Sequence, residues 1–241
     1  MYQEIKSLEG LNNVIDSFWT FSNNKTSESF KVLPDTCTDI IFDINQNKGF
    51  ISGIMTNYQL PELSTESNLI GVRFKAEKFG SLSKIPLNET KNLRVELSQI
   101  FPVCEQDTLS QLNNLKRTTE KVNFLEKFIT TSFQKNYQRQ DKLVLSVAQK
   151  IRLLKGNINI SEIAKSNNIS LRQLERRFKS YIGLTIKEFS NVVRFKNAKK
   201  RIKSFTETSL LEIAFDTGFF DHSHMTNEFK RISGENPSYF R

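Results

Sequence analysis

The segment "SLRQLERRFKSYIG", residues 170–183, places Arg172, Gln173, Arg176 and Lys179 at near-helical spacing. At about 100° per residue these four fall opposite Leu171, Leu174 and Phe178. An arginine fork matches the O6 and N7 acceptors of guanine, and each good pair gives about 1–3 kcal/mol of discrimination. A lysine supplies a point charge for phosphate. Glu175 lies at the flank, where it can accept from cytosine N4 or pair along the helix with Lys179. Arg177 points sideways, toward a phosphate or a structural ion pair. A second set, His222, Ser223, Thr226 and Asn227, occupies the outward positions of "DHSHMTNEFKRISG" (221–234). These can donate or accept at base edges, but no arginine stands among them, so weaker or less selective binding is expected there.

Helices must hold both sets. "NISEIA" (159–164) reappears 50 residues later as "SLLEIA" (209–214). Each opens with a polar cap and Glu at i+3: Asn159 with Glu162, then Ser209 with Glu212. Each breaks and restarts, at Ser170 with Gln173 and at Asp221. Past the break the offset is 51, so one extra residue sits in the second turn. Leu174 then matches Met225, Phe178 matches Phe229, Gly183 matches Gly234 and Phe189 matches Phe240. Two copies of a helix-turn-helix follow. A connecting helix, about 187–205, would fix their separation. Arg194, Lys196, Lys199, Lys200, Arg201 and Lys203 are expected on its exterior, so that Lys199→Ala should weaken binding to all sequences alike. Two such helices reading one face of B-DNA should lie roughly 34 Å apart.

Charge agrees with this placement. The chain has 241 residues and a net charge of +9. Residues 1–140 hold 16 Lys+Arg and 16 Asp+Glu, whereas the remaining 101 hold 19 and 10. The excess therefore marks the C-terminal part for a polyanion. A merely solvated basic face is the plain alternative.

Upstream, short segments rich in β-branched and aromatic residues predict strands: 14–22, 30–33, 38–45, 49–55 and 68–75, bounded by turn residues. From about Asp107 the spacing turns helical, with a break near Thr118-Thr119, and 134–141 reads as a linker. A further helix is expected over 141–155, closed by Gly156. The fold class is α+β in two domains: a β-rich, barrel-like domain over 1–105, a helical connector and linker over 106–140, and an all-α domain over 141–241.

With those motifs in hand, residues 141–241 resemble the AraC/XylS-type transcription regulators. The resemblance rests on "ISEIAKSNNISLRQLERRFKSYIGLTIKEF" and on "SLLEIAFDTGFFDHSHMTNEFKRISGENPSYFR", including the "IA…GF" core and the terminal G-x-x-P-S-x-F/Y-R. It implies reading of two successive major grooves of double-stranded DNA, control of transcription as activator or repressor, and RNA polymerase as a partner. Base contacts carry over to Arg172, Gln173, Glu175 and Arg176, then His222, Ser223, Thr226 and Asn227. At Asn227 many members have a basic residue. "VLPDTCTDIIFDI" and "GVRFKAEKFGSL" are similar to sensor regions of some members, which implies a small-molecule effector or a homodimer contact; no cofactor is implied.

Other chemistries find less support. No nucleophile-base-orienter set appears, because both histidines lie in the basic part, and an enzyme is not expected. An alkylation-repair fusion would need a zinc-bound cysteine cluster, which the two cysteines, Cys37 and Cys104, do not form. His222 and His224 at i, i+2 do not share a helix face, so no metal site is expected. Asp35, Asp39 and Asp43 suit turn and edge roles, and Arg73 an internal ion pair more readily than an anionic effector. Few cysteines, no signal peptide and no long apolar run lead to the expectation of a cytoplasmic chain without membrane contact. The competing function is an adaptor that holds another regulator and binds DNA weakly and without selectivity.

Overall fold

The computed structural model describes residues 1–6, 14–23, 30–61, 67–83, 85–100, 105–136 and 140–241. Cys104 and the middle of the expected linker lie outside them. Among the described residues six strands form one antiparallel sheet: β1 (Tyr2–Ile5), β2 (Ile15–Ser22), β3 (Cys37–Asp43), β4 (Lys48–Ser52), β5 (Asn68–Lys75) and β6 (Arg94–Glu96). Their order is β1-β2-β5-β3-β4-β6. β1 and β6 stand at the two ends without pairing to each other, so the sheet is open and the barrel-like expectation is corrected. Residues 30–33 form only a single bridge, Val32 to Gln59, and no strand.

Period-two alternation gives the sheet two unlike faces. Phe18, Ile40, Phe42, Ile70, Val72 and Phe74 turn to one side. There they share a core with Leu109 and Leu112 of α3 (Glu105–Asn114) and Val122, Leu125 and Ile129 of α4 (Thr118–Asn136). These two helices therefore belong to the packing of the sheet. Trp19, Ile41 and Leu69 turn to the other side. Gly71, opposite Trp19 across β2 and β5, gives the indole its room: a Cβ there would lie 2.1 Å from Trp19 Cε2.

Between β5 and β6 runs a short helix, α1 (Ala76–Phe79), and α2 (Leu97–Ile100) follows β6. From Lys142 onward the helices are α5 (Lys142–Leu153), α6 (Ile160–Ser166), α7 (Leu171–Ile182), α8 (Ile186–Ser204), α9 (Leu210–Asp216) and α10 (His222–Ser233). Two cores lie along α8. Its first half adds Ile186, Phe189 and Val193 to Val147, Ile163, Leu174 and Phe178. Its second half adds Phe195, Ala198 and Ile202 to Ile213, Met225 and Phe229. Ile54 and Ala76 of the sheet domain are members of the first helical core, and Leu33 packs on the second.

Candidate nucleic-acid interface

The local chemistry of both repeats follows their caps. Asn159 and Ser209 accept amide hydrogen bonds at the starts of α6 and α9. Ser170 and Gln173 form a full capping box on α7, and Asp221 accepts from the His224 amide on α10. These bonds satisfy amides that a helix start otherwise leaves open, worth about 1 kcal/mol each. Asn168 (φ +51°) and Gly218 (φ +80°) adopt left-handed backbone at equivalent points in the two turns. Gly183 (φ +98°) and Gly234 (φ +75°) then end α7 and α10 in the same manner. Beyond the turn glycine, Phe219 takes the place of Ile169, each amide donating back to an alanine carbonyl (Ala214 and Ala164). Phe220 is the extra residue.

On α7 the basic side chains stand clear of the core. Arg172, Arg176 and Lys179 are exposed, and none of them forms an ion pair among the described residues. Leu174, Phe178 and Ile182 are buried beneath them. Arg177 takes the structural role: its Nε and Nη2 donate to the Asp141 carboxylate at 2.9 and 2.8 Å, tying α7 to the cap of α5. Glu175 is half-buried and accepts from the Ile186 amide at 3.3 Å, so it secures the start of α8. Gln173 accepts from the Ser170 amide through Oε1, which closes the capping box. Leu171 departs from the expected inner cluster; at the first position of α7 it is exposed.

On α10, His222, Ser223 and Asn227 are exposed. Thr226 is half-buried and its hydroxyl is enclosed without a partner. His224 Nδ1 accepts from the Phe220 amide at 3.3 Å, and its ring meets the buried Phe219 edge-on. Phe220 itself is 83% exposed, directly before the cap of α10. No sequence rule for base-edge hydrogen bonding selects a phenylalanine; the one-residue excess in the second turn is the signal that marks it.

The connecting helix departs from its expected role. Lys196, Lys200 and Lys203 are exposed, but Arg194, Lys199 and Arg201 are half-buried. Arg194 donates to the Gly156 carbonyl at 3.1 Å, and Arg201 pairs with Asp216 at 2.6 Å. Lys199 lies over the Phe195 and Phe240 rings and turns toward the sheet; burial and the neighbouring Lys196 lower its pKa. It is therefore withdrawn from the phosphate role that helical spacing alone would give it.

Residues 163–241 match the family described as Helix-turn-helix domain, and residues 3–96 match a Domain of unknown function (DUF6597). The HTH-type transcriptional regulator MtrA of Neisseria gonorrhoeae is 28% identical over 83% of this chain and 68% of its own length. The HTH-type transcriptional activator RhaS of Mannheimia succiniciproducens is 26% identical over 84% and 69%. Residues 163–241 therefore carry a helix-turn-helix domain of the AraC/XylS type. The chain spans about two thirds of the length of both relatives. A solved structure of ToxT from Vibrio cholerae aligns with 100% of this chain and 96% of that one, at 15% identity and a TM-score of 0.46.

A cavity of about 530 Å³ lies in the sheet domain beside Trp19, and Lys199 of α8 contributes to its lining. Trp19, Phe21, Phe30 and Met55 are among its lining residues, as are Lys199 and Lys31, the latter ion-paired with Glu235. Arg73 also borders it, but its guanidinium is engaged by Asp39 at 3.1 and 3.0 Å, the internal pair expected from sequence. Burial pushes the Asp39 carboxyl up to about 6, against the pull of Arg73. Asp35 accepts from the Cys37 amide and Asp43 from the Gln46 amide, both turn roles. Burial raises the Cys37 thiol well above its usual pKa. Among the described residues no group of three potential ligands could hold a metal ion, and no helix is long and apolar enough to cross a membrane.

Proposed function

We propose that this regulator acts in the cytoplasm by reading two successive major grooves of double-stranded DNA, α7 in one and α10 in the next. The observation that carries the reading is the repeated, similarly capped helix pair, one copy of which offers Arg172, Arg176 and Lys179, exposed and without an ion pair among the described residues. Arg172 and Arg176 are the base readers of the first box, and Gln173 contributes beside them. Lys179 meets phosphate. Glu175 serves this face indirectly, by holding α7 to α8. His222, Ser223, Thr226 and Asn227 belong to the second box, where shorter polar side chains give fewer strong contacts. RNA polymerase and a second copy of the chain are the macromolecular partners proposed beside DNA.

The sheet domain is proposed to receive a small effector in the cavity beside Trp19. An apolar lining that also includes Lys31 and Lys199 supports an amphipathic molecule. Arg176→Ala tests the DNA assignment. Affinity for the selected site should fall by about 1–3 kcal/mol while affinity for random duplex changes little, so that specificity relaxes at one base pair. Equal losses on both duplexes would overturn the assignment of Arg176 as a base reader. The adaptor reading predicts instead that selected and random DNA bind alike in the unmodified protein.

A further inference from the structure

The two helix-ending glycines, Gly183 and Gly234, occupy equivalent places in the repeat, and both rest on one segment of the sheet domain. A Cβ at Gly183 would lie 2.8 Å from Ile54 Cγ2 and 3.0 Å from the Leu87 carbonyl. A Cβ at Gly234 would lie 2.8 Å from Tyr58 Cε1. The Tyr58 amide also donates to the Ile232 carbonyl at 2.7 Å, in the last turn of α10. Residues 53–59 thus reach from the end of α7 to the end of α10.

The same segment is held firmly from below. The Gly53 amide donates to the Leu93 carbonyl at 3.0 Å, and the Asn92 amide to the Ile54 carbonyl at 3.0 Å. Asn92 Oδ1 accepts from the Thr56 amide at 2.8 Å, and Gln59 Nε2 donates to the Asn92 carbonyl at 2.8 Å. At Gly53 a Cβ would stand 1.9 Å from the Thr90 carbonyl oxygen, so the two backbones are in direct contact. A segment bonded at four points to its neighbour moves as part of the sheet domain.

We propose that residues 53–59 are a strut that sets the separation and rotation of the two DNA-reading helices, with Ile54 and Tyr58 as its positioning residues. α8 joins the repeats on one side, and the strut joins the ends of α7 and α10 on the other. A helix pair held by α8 alone can pivot about it; a pair held at both places cannot. The strut consequently restricts which spacing of the two DNA boxes is accepted. This rests on the reading of two successive grooves.

The test uses the full chain and duplexes whose two boxes are moved apart by one, two or three base pairs. Each added base pair turns the second groove by about 35°, given 10–10.5 base pairs per turn. The unmodified protein should lose affinity by at least about 10-fold at two added pairs, the equivalent of roughly 1.4 kcal/mol. Tyr58→Ala should keep its affinity for the best spacing within about 3-fold while its loss at two added pairs shrinks to about 3-fold, under 1 kcal/mol. Tyr58→Phe, which keeps the ring on Gly234, should restore the sharp profile. Ile54→Val, a smaller change at the other contact, gives an intermediate profile and serves if Tyr58→Ala does not fold. A sharp profile shared by the unmodified protein, Tyr58→Ala and Ile54→Val overturns the strut and leaves groove reading intact. A flat profile in the unmodified protein overturns the tandem reading, and the strut with it.

Discussion

Replacing Arg152 by Met should loosen the contact between the two domains, and its cost can be worked from the bonds it removes. Arg152 extends from α5 into the sheet domain. Its Nε and Nη2 donate to the two Glu77 carboxylate oxygens at 2.9 and 2.8 Å. Nη1 donates to Thr36 Oγ1 at 2.8 Å and Nη2 to the Thr36 carbonyl at 3.2 Å. Burial opposes the charge on Arg152, but Glu77 outweighs it and raises the guanidinium pKa. The side chains of Arg152 and Glu77 are 28% and 8% exposed. Removing one partner of a fully buried pair costs about 3–5 kcal/mol, because the other charge stays buried and unpaired. Partial exposure of Arg152 lowers this to about 2–3 kcal/mol. In a chain of this size that is roughly 4–12 °C in Tm, at 2–4 °C per kcal/mol. Thermal melting followed by circular dichroism reads the loss. Arg152→Met with Glu77→Met should recover more than half of it, since no charge is then stranded. A single variant within about 1 °C of the parent, or a double variant no better than the single, would refute the reasoning.

Other consequences are independent of that pair. Phe220→Ala should lower affinity for the selected site by about 1 kcal/mol, because an exposed ring beside a groove gains burial on binding. Deoxyuridine in place of thymine in the second box should weaken the parent and leave the variant unchanged; equal changes in both would count against a methyl contact. Glu188 links α8 to the sheet domain through Lys91 at 2.5 Å. Burial raises its pKa, but Lys91 and the Thr185 amide and hydroxyl outweigh burial and leave it below the usual value of 4.5. Its contribution to stability is therefore present above pH 4.5 and is lost as pH falls through the depressed value. Glu188→Gln should lower Tm at pH 7 and have a smaller effect near about pH 3; an equal effect at both would show that the charge is irrelevant.

The parts of this fold that were legible in the sequence are those set by local rules. β5 and the caps at Asn159, Ser170, Ser209 and Asp221 follow from residue type and spacing alone. β1 and β6 escaped because four and three residues carry too little alternation. On α7 the outward position of Arg172 and Arg176 follows from helical period, whereas Leu171 escapes its apolar face because the first turn projects past the core. Lys199 and Glu175 were harder. Their surroundings come from residues far away in sequence, the cavity lining for one and the start of α8 for the other. The glycines at 183 and 234 were legible as helix ends, but that both ends meet residues 53–59 is a tertiary fact with no local signature.

The most direct test of tandem groove reading is selection of binding sites from random duplex DNA with the purified full-length chain at a stated salt concentration. Two boxes about one helical turn apart are the predicted result, with guanines in the first box that Arg172→Ala and Arg176→Ala no longer select. A single short box, or no enrichment over random DNA, would contradict it.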